Sequence, residues 1–121
     1  MINLTQHKAT EEQKNAGVID LPDDFHEKVK MLIDFKHCPT VAEMRCRARK
    51  VVDLIINHDY TVKSALIGGA PFFMSTLENA LVSADIIPYY SFSIRDSVEE
   101  VKDGVVIKVN KFVHKEFVQV R

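Results

Sequence analysis

The chain has few of the residues that build covalent or metal-centred frameworks. Its 121 residues include two cysteines, four glycines, four prolines and no tryptophan. Cys38 and Cys46 stand eight positions apart and form no CxxC pair. This count excludes a disulfide framework and a four-ligand zinc site. Two unpaired thiols fit a reducing compartment, so we expect a cytoplasmic protein.

Long apolar runs and a charge excess of one sign are also missing. The apolar stretches are only a few residues long, whereas a membrane-spanning helix needs about 20. The N-terminal residues 1–13 lack the apolar core of a secretory signal. The chain has 16 basic and 17 acidic residues, which gives a net charge of −1. We therefore expect neither a membrane nor a long nucleic acid as partner, although a local anion pocket stays open.

The composition does provide for a hydrophobic core. Leu, Ile, Val and Phe make up about a third of the residues, and disordered chains have less than roughly a fifth. The length suits one domain over residues 1–121.

Glycine and proline separate an alternating series of strand and helix patterns. Alternating or buried apolar residues predict strands at 2–6, 18–21, 64–67 and 87–93. Helical spacing fills the intervals, with capping boxes at Thr10–Gln13 and Thr40–Glu43. Such an order predicts an α/β fold, a three-layer Rossmann-like arrangement around a mostly parallel sheet.

The last quarter of the chain has a different pattern. Asp103-Gly104 lies between two apolar runs and predicts a β-hairpin of residues 98–102 and 105–109. The apolar phase changes between Val109 and Phe112, which predicts a β-bulge at that point. We therefore expect the sheet to end in an antiparallel C-terminal hairpin.

Three predicted strands end in residues suited to ligand binding, and in such sheets ligands bind beyond the carboxyl ends of the strands. If the strands are neighbours, their ends line one crevice. The candidate ligand-binding residues are Thr5, Gln6, Gly68, Gly69, Ala70, Ser91 and Ser93.

Each of these candidates also has a simpler explanation. Gly68-Gly69 allows the backbone to approach an anion before a helix, but a tight turn without a ligand needs the same glycines. Arg95 is suited to clamp a phosphate, or to pair with a neighbouring carboxylate on the surface. A basic set on one predicted helix, which includes Arg47, is interpreted as a solvated face rather than an anion site.

The histidines divide into two groups. His7 follows the first strand and is suited to donate a proton, to hold a phosphate or to a purely structural role. His114 lies in the final extended run, where it reaches the same crevice or faces solvent. His26, His37 and His58 are predicted on helix surfaces or in loops. No spacing indicates a metal site, and no GxSxG or Cys–His pattern indicates acyl transfer.

A series of motifs resembles small CRISPR-associated proteins of the Csx group, which have a CARF-like fold and include candidate ring nucleases. The resemblance is good over residues 63–118 and patchy before them. The matching motifs are His7–Gln13, Gly68-Gly69, Phe72-Phe73-Met74, Ile87–Tyr90, Arg95, Glu99, Asp103-Gly104 and Lys108–Phe117.

This resemblance implies a ligand and a chemistry. Members of that group bind cyclic oligoadenylate, the second messenger of type III CRISPR antiviral defence, as homodimers. Ring nucleases cut it without a metal or other cofactor, through attack of a ribose 2′-hydroxyl on the adjacent phosphate. On this basis His7, His114 and Arg95 are the expected catalytic residues.

Two other functions remain open at this point. One is a cyclic-nucleotide sensor or sponge that binds without cutting. The other is an enzyme of an ordinary nucleotide or metabolite that shares only the fold.

Overall fold

The computed structural model describes all residues, 1–121, and consists of four helices and five strands. The strands are β1 (Ile2–Asn3), β2 (Ile19–Asp20), β3 (Ser64–Leu66), β4 (Ile87–Lys102) and β5 (Val105–Gln119). The helices are α1 (Glu11–Asn15), α2 (Asp23–Ile33), α3 (Val41–His58) and α4 (Pro71–Ser83). None of these helices has the length and apolar character needed to cross a bilayer.

One five-stranded sheet runs through the molecule in the order β2-β1-β3-β4-β5. The first four strands in that order are parallel, and β5 is antiparallel to β4. The predicted α/β class, the mostly parallel sheet and the C-terminal hairpin are therefore confirmed. The parallel strands β1 to β3 are shorter than predicted. Beyond β1 and β3, Leu4 and Ile67 each donate one further hydrogen bond to the neighbouring strand.

Successive residues of β3 separate two apolar clusters on opposite faces of the sheet. Ala65 belongs to a core of 16 buried residues that also takes in side chains of α2, α3 and α4. Leu66 belongs to a smaller cluster with Ala9 and Val18, which flank α1. The sheet is thus covered by three helices on one face and by a thin layer on the other.

Local sequence signals fix where the helices begin. Thr10 and Gln13 form the complete predicted capping box of α1. At α3 the Thr40 hydroxyl accepts from the Glu43 amide, but the predicted return bond is missing. The Glu43 carboxylate instead binds Arg47, one helical turn further on.

The hairpin is much longer than predicted. β4 and β5 pair from Tyr89–Gln119 out to Lys102–Val105, next to the predicted turn at Asp103-Gly104. We call the part beyond the domain body, residues 93–113, the arm. It extends from the carboxyl edge of the parallel strands, because β4 continues past the end of its neighbour β3.

The predicted position of the bulge is wrong. Pairing is regular from residue 105 to 114, and the register shift lies where Phe92 opposes Glu116 and Ser93 opposes His114. Lys115 is therefore the extra residue. Phe112 breaks the apolar phase for a different reason, because it lies on the other face of the arm from Val109 and Val113.

Candidate functional site

Three of the candidate residues meet on one face of the hairpin, at the point where it leaves the body. Ser91 Oγ lies 2.6 Å from Nδ1 of His114 and 3.0 Å from Oγ of Ser93. Ser93 is also the direct cross-strand neighbour of His114. We call Ser91, Ser93 and His114 the Ser–His cluster.

Strand geometry explains why these side chains share a face. Residues 91 and 93 alternate with 92 along β4, so they point to the same side of the sheet. The bulge at Lys115 changes the phase of β5 and allows both Phe117 and His114 to face that side. The ring of Phe117 lies 4.5 Å from the His114 ring and also packs against the smaller apolar cluster. Phe117 thus connects the Ser–His cluster to the body.

Arg95 lies on the same face of β4, two residues beyond Ser93. Its guanidinium lies 5.2 Å from the centre of the Phe112 ring, its cross-strand neighbour. It forms no ion pair with Asp96 or Glu99, which was the alternative expectation from the sequence. The guanidinium makes no hydrogen bond within the chain, so its donors are free.

The other two strand ends adjoin the Ser–His cluster. Asn3 pairs with Leu66, and Leu66 pairs with Tyr89. Two residues further along each strand, this register places Gly68 between Thr5 and Ser91. A side-chain carbon at Gly68 would lie 3.6 Å from Cγ2 of Thr5, which agrees with that placement.

A buried polar network holds the loop after β1. The Asn3 side chain is 1% exposed, and its Nδ2 donates to the His7 carbonyl and to Oδ1 of Asp20, both at 2.8 Å. Its Oδ1 accepts from the Thr5 amide at 3.0 Å. Thr5 Oγ1 lies 2.8 Å from that oxygen, so the Thr5 hydroxyl takes part in this network.

Asp20 completes the network with a charge. Burial alone would raise the pKa of its carboxyl, but hydrogen bonds from Asn3 and from the Ala9 amide oppose burial. Electrostatic interactions with Lys14 and His26 lower the pKa of this carboxyl as well. The net result is a pKa of Asp20 below its usual range, so this half-buried end of the network stays ionised at neutral pH.

The remaining candidates lie around the edge of this site. The His7 side chain is exposed and makes no hydrogen bond, and only its carbonyl joins the network. Gln6 lies apart from the Ser–His cluster, in a cavity between α2 and α3. Gly69 has a φ of 147°, and Ala70 is the N-cap of α4.

The structure corrects the predicted positions of two basic side chains, His26 and Arg47. His26, which was predicted on a helix surface, is only 7% exposed, and its Nε2 lies 3.2 Å from the Thr5 carbonyl. Arg47 is not simply solvated, because it donates to the carbonyls of Leu32 and Asp34 at the end of α2. Both residues hold structural elements rather than a ligand.

The three main cavities lie elsewhere. They measure about 530, 490 and 400 Å³ and lie at the helices α2, α3 and α4. None is lined by Ser91, Ser93, Arg95 or His114. Ser93 and Arg95 are exposed, so the Ser–His cluster is an open face rather than an enclosed pocket.

Sequence reasoning missed the residues that support this face. Asn3 was a detectable signal, because a polar residue between Ile2 and Leu4 in a buried strand needs hydrogen-bond partners. Phe112 and Phe117 gave no comparable signal, since their roles depend on cross-strand register and on the bulge.

No group of three His, Cys, Asp or Glu side chains comes together to form a metal site.

Comparison with known proteins assigns the chain to a family but gives no activity. No curated protein and no solved structure is significantly similar to the chain. Residues 1–118 match the model described as the uncharacterized protein MJ1673 family, and the chain therefore belongs to that family.

Proposed function

We propose that this protein binds and cleaves cyclic oligoadenylate without a metal, as a ring nuclease of type III CRISPR antiviral signalling in the cytoplasm. The proposal combines the resemblance described above with one structural observation. That observation is the Ser–His cluster with Arg95 on the same face, beside Gly68 at the carboxyl edge of the sheet.

The proposed reaction needs no nucleophile from the protein. The ribose 2′-oxygen attacks the adjacent phosphorus, and the bond from phosphorus to the 5′-oxygen breaks. The 2′-hydroxyl loses its proton to water, and the departing 5′-oxygen gains one from an acid. The products carry a 2′,3′-cyclic phosphate and a free 5′-hydroxyl. The protein must therefore align the attack, stabilise the phosphorane charge and supply one proton.

His114 is the best-placed acid in this reaction. Its Nδ1 is held by the Ser91 hydroxyl, and Nε2 has no hydrogen-bond partner within the chain. A histidine oriented in this way donates its proton from Nε2. His7 fits this role less well, because nothing in the structure fixes its ring.

Arg95, Ser93 and the glycine turn complete the proposed site. The Arg95 guanidinium is suited to bind phosphate oxygens in a bidentate manner. The Ser93 hydroxyl and the amides of Gly68 and Gly69 add neutral donors. Because Arg95 binds charge that the ligand already carries, Arg95→Ala should weaken ligand binding by about 1.5–3 kcal/mol.

A thermal-shift screen tests the ligand class. The ligands are cyclic tri-, tetra- and hexa-adenylate, with linear oligoadenylate, ATP and cyclic AMP as comparisons. We expect one cyclic oligoadenylate to raise the melting temperature of the wild type, and much less that of Arg95→Ala. Stabilisation by ATP or cyclic AMP alone would favour an enzyme of ordinary nucleotides instead. Stabilisation without turnover would favour a sensor or sponge.

We propose that the protein binds this ligand as a homodimer, as the resemblance implies. The two-fold axis would lie near Gly68-Gly69 and the segment from Ser91 to Arg95. A ring with internal two-fold symmetry matches an isologous pair of subunits. An open face such as the Ser–His cluster encloses little of a ligand by itself.

A further inference from the structure

Both faces of the arm carry exposed apolar side chains, and the face with more apolar residues has nothing packed on it. Cross-strand pairs show which residues share that face, since direct neighbours point to the same side. The apolar members, which we call the arm face, are Ile94, Val98, Val105, Ile107, Val109 and Val113. The Ser–His cluster and Arg95 lie on the opposite face.

An isolated arm of this kind is not stable by itself. From Ser93 to Lys102 it is about 30 Å long, at about 3.3 Å per residue. Over that length β5 pairs only with β4, and no helix covers the pair. A two-stranded ribbon in water is at best marginally stable and needs a further layer on its hydrophobic face.

The exposed area indicates how large this missing layer is. A compact monomer of 13.8 kDa exposes about 6,600 Å². This chain exposes 7839 Å², about 1,200 Å² more. A standard protein–protein interface buries about 800 Å² on each partner. The surplus, which the two faces of the arm share, is of the same order as the area that each partner buries in such an interface.

The charges on the arm face suit a second copy of the chain. Two carboxylates, Asp96 and Glu100, and two ammonium groups, Lys102 and Lys111, point to this side. Lys111 forms an ion pair with Glu100. The face is thus apolar with no net charge, so two copies meet without net repulsion. An anionic membrane or a nucleic acid would instead require a positive excess.

The direction of stacking follows from the position of the helices. Tyr90 and Ile94 lie on the same side of β4, and Tyr90 OH donates to Glu78 of α4 at 2.6 Å. The helical layer and the arm face are therefore on one side of the sheet. Parallel arms would push the two helical layers into each other, whereas antiparallel arms place the two bodies at opposite ends.

We propose that two copies of this chain dimerise by antiparallel stacking of their arm faces, with the two-fold axis at the Val98–Val109 pair. This interface lies on the opposite face of the hairpin from the ligand-binding pair of the proposed function, whose axis is near Gly68-Gly69 and the segment from Ser91 to Arg95. It therefore leaves both Ser–His clusters open and does not itself enclose the ligand. The inference does not rest on the proposed function, because it needs no ligand.

Sedimentation of the ligand-free protein at tens of micromolar tests the dimer. The wild type should sediment at about twice 13.8 kDa. Val109→Glu puts a carboxylate at the centre of the interface in each copy, so we expect the dissociation constant to rise at least about 100-fold. Val106→Glu is the matched control, because it makes the same change in the same strand on the opposite face. It should leave the dimer intact.

A cross-linking experiment tests the same interface without Val109→Glu, which could disturb the hairpin itself. The exposed thiols Cys38 and Cys46 are first changed to serine. Stacked sheets lie about 10 Å apart, too far for a direct disulfide but within reach of a short bismaleimide. In that background the bismaleimide should cross-link Val98→Cys between copies, and Ser97→Cys on the opposite face should not react in this way. A monomeric wild type, equal loss of the dimer in both glutamate variants, or equal cross-linking at positions 97 and 98 would each overturn the proposal.

Discussion

At the scale of single residues, the proposal assigns the role of proton donor to His114 rather than to His7. We expect His114→Ala to slow cleavage of the cyclic ligand about 10²–10⁴-fold, because it removes the proton donor to the leaving oxygen. Binding should change little, since His114 acts when the bond breaks. His7→Ala is the natural comparison and should keep most of the turnover, because its ring is exposed and unconstrained.

Single-turnover kinetics with saturating enzyme separates these variants. Circular dichroism first establishes that both keep the wild-type fold. If His7→Ala loses more activity than His114→Ala, the proton donor lies at the end of β1 and the assignment to the Ser–His cluster is wrong.

Asp20 makes stability depend on pH in a defined direction. Its pKa is lower in the folded chain than the ordinary 3.8, so its charge stabilises the fold above that value. The contribution is lost as the pH falls below about 4 and the carboxyl takes up a proton in the folded state. Asp20→Asn keeps an acceptor oxygen but removes the charge. Its stability deficit should therefore be larger at pH 6 than at pH 3.

Urea unfolding at those two pH values measures the difference. Asp20→Ala should cost about 1–2 kcal/mol at pH 6, because it leaves donors of Asn3 and Ala9 without an acceptor. Equal deficits of Asp20→Asn at both pH values would show that the charge contributes nothing.

At the scale of elements, the turn between β3 and α4 depends on one of its two glycines. Gly69 has a φ of 147°, which L-residues rarely adopt, whereas Gly68 has no positive φ. Gly69→Ala should therefore destabilise the fold by about 1–3 kcal/mol. A side-chain carbon at Gly68 meets Thr5 at an ordinary 3.6 Å, so Gly68→Ala should be mild.

Chemical denaturation of the two alanine variants makes the comparison. Similar small losses in both would mean that the turn relaxes, and that backbone strain does not define this part of the site.

Sequence signals predicted the elements where the physics is local. Thr10 with Gln13 begins α1, and Gly17 follows its end at a φ of 101°, as capping preferences require. The bulge could not be located in this way. Its position depends on which residues of two distant segments face each other, and Phe112 changed the apolar phase without an insertion.

At the scale of the whole molecule, the carboxyl edge of the sheet organises the candidate site. The sequence predicted that the site lies at the ends of three strands, and β1, β3 and β4 are neighbours in the sheet. The predicted end of the third of these strands is wrong, because Ser91 to Arg95 lie inside β4, which continues to Lys102. It did not predict that Ser91 and His114 would bond, because they are 23 residues apart and meet through the bulged register. Nor did it predict the length of the arm, since a pattern of alternating valines does not show what covers it.

The most direct test of the proposed function is cleavage itself. Wild-type protein is incubated with cyclic tri-, tetra- and hexa-adenylate in the presence of EDTA, and the products are identified by mass spectrometry. We expect one of these rings to be opened to linear products that end in a 2′,3′-cyclic phosphate, and His114→Ala to leave that ring largely intact over the same time. If the wild type leaves all three rings intact, the protein is not a ring nuclease for these ligands and the proposed chemistry at the Ser–His cluster is wrong.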